Sequence, residues 1–409
     1  MSKKKDTVRK AVLLENPHPR AAQLLRAAGV EVELVPGSLA EDDLIEALQG
    51  AQILGIRSKT EVSRKVLAHC PDLEVIGAFC LGTKQIAIEA AAERGIAIFN
   101  APYANTRSVV ELAIGEIVAL TRRLSVKNSN LHEGIWDKSA DGSHEVRGRT
   151  LGIIGYGNIG SQLSVLAESL GLRVIFYDLE EKLALGNAHP MSSMDEVLVE
   201  ADIISLHVDD SPDNVNLFGK REFELMKPGA TFINLSRGFT VDIVALKDAL
   251  ESGHLGGAGI DVFPSEPRRN GEPFESELAG LDNVILTPHI GGSTTEAQRD
   301  IGEFVAKKIL AYLDRGTTSM SVNLPNLSLP VSSPTSYRLC FTHHNTPGVM
   351  ARLNDVFGKE GVNVEGQGLA TEGSIGYVIT DLATPLTKKA RKAIRSSPAS
   401  ILVRYFPLT

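Results

Sequence analysis

The amino-acid sequence predicts an α/β protein: two doubly wound parallel-sheet domains followed by a small C-terminal βαββαβ domain. Three observations carry this. Strand-like apolar runs alternate with helix-periodic segments from residue 10 to residue 313, the pattern of repeated βα units. The uncharged stretch from Gly316 to Tyr337 holds Pro325, Pro330 and Pro334 without a helical period, so it reads as an extended linker. A chain of 409 residues has room for two or three domains of roughly 150 residues each.

Taken in order, KAVLL at 10–14 is a strand, residues 19–28 a helix stopped by Gly29, and VEVELV at 30–35 a strand. AQILGIRS (51–58), EVIGAF (74–79) and IAIFN (96–100) continue the series. A long helix follows, for which Ser108 and Glu111 have capping-box spacing, making Ser108 the expected N-cap. From Thr150 the pattern restarts with TLGIIG, a helix, RVIFYD, a second helix and DIISLHV, then ATFINLS, HLGGAGIDVF and NVILTPH. That is a six- or seven-stranded doubly wound block. A helix over 296–313 comes next. Beyond the linker, SYRLCFTHH, PGVMARLNDVFGKEG, VNVEGQGLAT, IGYVITDLAT, LTKKARKAIRSS and SILVRYFPL read β-α-β-β-α-β, a ferredoxin-like arrangement.

Composition narrows the function. With 43% hydrophobic and 22% charged residues, the chain is globular, not disordered, collagenous or coiled-coil. Lys and Arg total 42 against 50 Asp and Glu, a net charge of −8, which argues against nucleic acid as a partner. The basic N-terminus has an apolar run of only Ala11 to Leu14, too short for a signal-peptide core. No stretch offers the ~20 apolar residues of a membrane span. Cys70, Cys80 and Cys340 have neither zinc nor disulfide spacing. The expectation is a cytoplasmic protein with reduced thiols, no membrane partner and no metal.

The strongest motif is Gly155-Tyr-Gly157-Asn158-Ile159-Gly160, set between a strand and a helix, with Asp178 closing the next strand. Gly155 permits the tight turn, Gly157 lets the backbone approach a pyrophosphate and Gly160 lets the helix pack closely, as in a Rossmann dinucleotide site. The amides of Asn158 and Ile159 face the phosphates at the helix start. Asp178 accepts from a ribose diol and repels a 2′-phosphate, so the expected cofactor is NAD. Further on, Arg237, Glu266 and His289 each stand just past a strand-like run, where doubly wound sheets bind ligands. Hydride transfer to or from a hydroxy acid needs such a set: Arg for a carboxylate or keto oxygen, His for the hydroxyl proton, Glu to orient the imidazole and raise its pKa.

These motifs, together with Asn234-x-x-Arg237-Gly-x-x-Val-Asp242, Gly259-x-Asp261-Val-Phe-x-x-Glu266-Pro and Leu286-Thr-Pro-His289-Ile-Gly-Gly-Ser-Thr, resemble the D-isomer-specific 2-hydroxyacid dehydrogenases. The resemblance covers nearly the whole chain and extends to the branch that oxidises D-3-phosphoglycerate, the first step toward L-serine. It implies Arg237, Glu266 and His289 as catalytic residues. It places Asp261, Gly291 and Gly292 near the nicotinamide, and Leu235 and Ser236 along the cofactor. It also implies a discontinuous substrate domain (7–106 and 296–326), an inserted NAD domain (107–295), a linker (327–337) and a terminal domain (338–409).

Arg57, Ser58 and Lys59 follow a strand, and two cations there suit a phosphate. Asn105 joins them as a substrate contact, and Lys138 is a further basic contact reaching toward a neighbouring subunit. Lys59 stands where relatives carry Arg; Lys84 and Ala87 depart from the usual substrate loop. The C-terminal domain resembles an ACT domain, which implies L-serine as effector at His343, Asn345 and Asn363 across a two-fold interface, and a homo-oligomer built as a dimer of dimers. Two alternatives stand beside this reading. Another 2-hydroxy acid, such as 2-hydroxyglutarate, would leave Arg57 and Lys59 unused. A non-catalytic NADH-sensing protein would not need Arg237, Glu266 and His289 together.

Overall fold

The computed structural model describes residues 8–267, 271–331 and 337–408; 332–336 of the expected linker lie outside the described residues. The chain forms two compact units, Met1–Ala104 with Gln298–Thr409, and Asn105–Ala297.

The first unit opens with β1 (Lys10–Leu14), α1 (Pro19–Ala27), β2 (Glu31–Val35), α2 (Glu41–Ala47), β3 (Ile53–Ile56), α3 (Arg64–His69), β4 (Val75–Ala78), α4 (Ile88–Glu93) and β5 (Ala97–Phe99). The five strands are parallel in the order β2-β1-β3-β4-β5. Helices cover both faces, which is why β1, β3 and β4 are apolar without alternation. Ala11, Leu13, Ile53 and Val75 turn to a core with Val305 and Ile309 of the long helix 295–315, while Val12, Leu54 and Ile76 turn to Leu44 and Val66.

The segment expected as an extended linker is instead an ordered strap over most of its described length. Asn323 donates from Nδ2 to Ile96 O at 2.8 Å and accepts from Ile98 N at 2.9 Å, and Leu324 is buried. The physical reason is that β5 is an edge strand, and the strap's side chains satisfy backbone groups a neighbouring strand would otherwise take.

The second unit begins with α5 (Thr106–Thr121) and α6 (Leu124–His132). The sheet then runs β6 (Thr150–Ile154), α7 (Asn158–Ser169), β7 (Arg173–Tyr177), β8 (His189–Pro190), α8 (Met194–Glu200), β9 (Ile203–Leu206), α9 (Lys220–Leu225), β10 (Ala230–Asn234), α10 (Ile243–Glu251), β11 (Leu255–Ile260) and β12 (Val284–Leu286). The order β12-β11-β10-β9-β6-β7-β8 puts the topological switch point between β6 and β9. Ligands of such sheets bind just outside the strand ends there. The expected cap at Ser108 is corrected: α5 starts at Thr106, and the Ser108 hydroxyl instead bonds Thr294 Oγ1 at 2.7 Å. Glu111 pairs with Arg107 at 2.6 Å, so neither residue is available for a capping box.

After α11 (Thr295–Arg315), the first unit ends in β13 (Tyr337–His344), α12 (Val349–Glu360), β14 (Val364–Glu372), β15 (Ile375–Leu382), α13 (Lys388–Arg395) and β16 (Ser400–Pro407). This antiparallel sheet has the order β14-β15-β13-β16 and carries both helices on one face. Its other face packs on α11: Arg404 stacks 4.3 Å over the Tyr312 ring, meets Glu74 at 3.2 Å and donates to the carbonyls of Tyr312 and Leu313. Arg338 and Asp381 form a buried bidentate pair at 2.6 and 2.7 Å. Among the described residues no helix is long and apolar enough to cross a membrane.

Candidate active site

The first part of the site lies at the ends of β6, β7 and β9. Gly155 turns at φ +90°, and a Cβ there would stand 2.5 Å from the carbonyl oxygen of His207. Gly157, with open space around it, is the N-cap of α7 and offers no side chain to the first amides, so those of Asn158 and Ile159 are left for an anion. Gly160 packs against the carbonyl of Gly155 so closely that any Cβ would collide. Asp178 accepts from the amides of Tyr156 at 2.7 Å and Glu180 at 3.0 Å, which fixes its carboxylate at the mouth of a cavity of about 350 Å³. These features fit a dinucleotide: an uncapped helix start, a bare glycine cradle and an acid for the ribose. His207, missed in the sequence, also lines this cavity. Its Nε2 meets Ser205 Oγ at 2.8 Å, its Nδ1 is buried without a partner among the described residues, and burial holds its pKa down at about 4. Its position directly after β9 was the signal.

The second part lies past β10, β11 and β12. Asn234 organises the turn after β10: its Oδ1 accepts from the Ser236 amide and hydroxyl, and its Nδ2 donates to Arg237 O at 3.1 Å. Leu235 and Ser236 are thereby buried, and Arg237 Nη1 holds Ser236 O at 2.7 Å. After β11, the Phe263 amide donates to Glu266 Oε1 at 3.1 Å, while Glu266 Oε2 lies 2.8 Å from His289 Nδ1. His289 is held at φ +54°, a left-handed conformation costly for a non-glycine residue. Asp261 stabilises that turn: its oxygens accept from Thr287 Oγ1 at 2.6 Å and from the amides of Ile290 and Gly291 at 2.8 Å. Gly291 touches this carboxylate, and Gly292 lies against the buried Asn105. Side chains at either position would push the loop off its support.

The electrostatics follow. The hydrogen bond to Glu266 raises the His289 pKa above its ordinary value, against partial burial. Burial pulls Glu266 upward, but the bonds from His289 and the Phe263 amide and the charge of Arg237 hold it below the usual carboxylate range. With Nδ1 engaged by Glu266, Nε2 is the ring nitrogen left open to a proton. We expect Glu266→Gln to lower the His289 pKa, moving the acid limb of the oxidation-direction kcat/KM profile to lower pH. An unmoved limb would show that the pair does not control this step.

The first unit holds Arg57 and Lys59. The Arg57-Ser58-Lys59 turn wraps Glu15, a buried acid at φ +65° that the sequence reading overlooked although it directly follows β1. Glu15 accepts from the amides of Arg57, Lys59 and Thr60 at 3.2, 3.0 and 2.8 Å, and Gln85 braces the Arg57 carbonyl at 2.6 Å. Lys138 stands in an exposed segment after α6. In the terminal domain the His343 ring is buried, with Nδ1 on His344 O at 2.9 Å and Nε2 without a partner among the described residues; burial lowers its pKa. Asn345 donates to Gly373 O at 3.2 Å. Asn363 is not beside them. β14 and β13 both run antiparallel to β15, with Val364 level with Leu382 and Tyr337, and His343 level with Gly376. One chain therefore puts Asn363 roughly 20 Å along the sheet from His343. Among the described residues no cluster could hold a metal ion.

A dinucleotide cradle at the switch point and a carboxylate-braced histidine beside an arginine define the class, and the chain belongs to the D-isomer-specific 2-hydroxyacid dehydrogenases, enzymes that use NAD. The NAD binding domain of that family matches residues 114–291, and an AHAS small subunit-like ACT domain matches 339–396. The D-3-phosphoglycerate dehydrogenase of Escherichia coli (strain K12) is 48% identical over 407 residues, 99% of this chain and 98% of its own length. That of Dictyostelium discoideum is 44% identical, over 97% and 96%. Among solved structures, Aquifex aeolicus D-lactate dehydrogenase complexed with NAD and lactic acid superposes with a TM-score of 0.63 at 26% identity, covering 74% of this chain and 95% of that one.

Proposed function

We propose that the chain oxidises D-3-phosphoglycerate to 3-phosphohydroxypyruvate in the cytoplasm and is inhibited by L-serine. The observation that carries the chemistry is the Glu266–His289 contact of 2.8 Å, which leaves Nε2 to exchange the substrate's hydroxyl proton. Bound NAD supplies the hydride acceptor, and Gly155, Gly157, the amides of Asn158 and Ile159, and Asp178 would hold it. His289 takes the proton from the C2 hydroxyl, Glu266 stabilises the imidazolium that forms, and Arg237 pairs with the substrate carboxylate. Arg57 and Lys59 supply charge for the phosphate. The substrate assignment is supported by relatives of that name matching over nearly the full chain.

An NADH-coupled assay tests it. We expect kcat/KM for 3-phosphohydroxypyruvate to exceed that for hydroxypyruvate and 2-oxoglutarate by at least about tenfold, one charge-assisted contact being worth ~1.5–3 kcal/mol. Equal values would favour an unphosphorylated hydroxy acid.

Serine inhibition is supported by the ACT domain and by the separation of Asn363 from His343 and Asn345. Those residues meet only when two terminal domains pair, consistent with a homo-oligomer built from dimers. We expect Asn363→Ala to abolish serine inhibition and serine binding by calorimetry while leaving dehydrogenase turnover intact. Unaltered serine binding would place the effector elsewhere.

A further inference from the structure

Glu116 lies in the third turn of α5 and is 3% exposed. Both carboxyl oxygens are buried, and the Thr287 side chain is the hydrogen-bonding group that acts on them among the described residues. The carboxyl lies over the backbone of Gly259 in β11, where a Cβ would run into Oε2, and it faces the Thr287 hydroxyl and the Asp261 carboxylate. From β10, β11 and the 287–291 turn, Asp261 is the charged group that acts on it among the described residues. An ionised Glu116 would carry a bare charge in a dry site beside a like charge. Asp261 already has three donors. Glu116 has no such set of donors, so it is the acid that keeps its proton. Burial first, and Asp261 second, push its pKa up to about 8.

We propose that Glu116 is a positioning residue for the catalytic turn, present as the neutral acid and facing Thr287. Thr287 gives its own proton to Asp261, so its oxygen remains able to accept from Glu116. Asp261 is then the sole anion beneath the turn and keeps hold of Thr287, Ile290 and Gly291, and through them of His289. The proposal rests on the reading of His289 as the proton-exchanging group.

The sign of the pH dependence is fixed by the raised pKa. Below the ordinary carboxyl value of 4.5 the folded and unfolded chains both keep this proton. Between 4.5 and about 8 only the folded chain keeps it, so the wild type loses stability as pH rises. Glu116→Gln and Glu116→Leu have no such group. Both variants should gain melting temperature over wild type by an amount that widens from pH 5 to pH 8 and then levels off. In turnover, Glu116→Gln preserves the contact with Thr287 and restores most of kcat at pH 7, whereas Glu116→Leu loses about tenfold, the scale of one buried hydrogen bond. Above pH 8 the wild-type kcat/KM should fall relative to Glu116→Gln. A melting-temperature difference independent of pH in both variants, a Glu116→Gln profile that overlays the wild type above pH 8, or a Glu116→Gln loss as large as that of Glu116→Leu would overturn the proposal. The unfolding measurement involves no turnover. A failure of the catalytic reading shows separately, as full activity in His289→Ala.

Discussion

His289→Ala should lower kcat by roughly 10²–10⁴, with a much smaller change in KM. On the proposed mechanism the ring takes the hydroxyl proton at Nε2, with Nδ1 held 2.8 Å from Glu266. Alanine removes the proton acceptor and leaves Glu266 facing solvent without its partner. The His289 side chain is 52% exposed, so the variant should melt close to wild type. That separates chemistry from folding: lost turnover with unchanged melting marks a catalytic group, and full turnover would refute the assignment. The loss should be deepest at neutral pH and shrink as hydroxide replaces the missing base.

Gly238→Ala should be the most damaging single methyl group in the second unit. Gly238 follows Arg237 in the turn after β10 and lies against the backbone of Phe263, so closely that a Cβ would overlap its carbonyl carbon and oxygen. No side chain can swing aside to make room. One of two backbone segments must move: the turn carrying Arg237, or the segment whose Phe263 amide holds Glu266. Overpacking of this kind costs about 3 kcal/mol, equivalent to roughly 6–12 °C in melting temperature for a unit of this size. Because the displaced segments hold the arginine and the glutamate, kcat/KM should fall by more than about 100-fold. A variant that melts and turns over like wild type would show that the contact is not tight in solution.

Much of this site was legible beforehand because its information is local. Gly155, Gly157 and Gly160 are required by sterics within one turn, and Arg237, Glu266 and His289 each stand just beyond a strand recognisable from its apolar run. What was not legible depends on residues far apart. Ser108 has a perfect capping-box neighbour in Glu111, yet the backbone enters α5 earlier, and Thr294 takes the hydroxyl. The strap after α11 looks like a linker by composition, since its prolines and serines also suit a segment that bonds an edge strand. Nothing local in the sequence marks Glu15 or Glu116 for burial, and neither was singled out there.

By itself the sequence determined the alternation of strands and helices, the dinucleotide turn, the order in which Arg, Glu and His arrive at strand ends, and the βαββαβ pattern of the terminal domain. Apolar periodicity and glycine sterics act over a few residues, and these features require nothing more. Only the tertiary structure decided which carboxylates are buried, that Asp261 clamps the turn of His289 while Glu116 lies beneath it, that Glu15 gathers the Arg57–Lys59 amides, and that Asn363 stands at the far end of its sheet from His343. Burial, like-charge proximity and strand register arise from packing between distant segments, and protonation and hydrogen bonding respond to that packing rather than to neighbours in the chain.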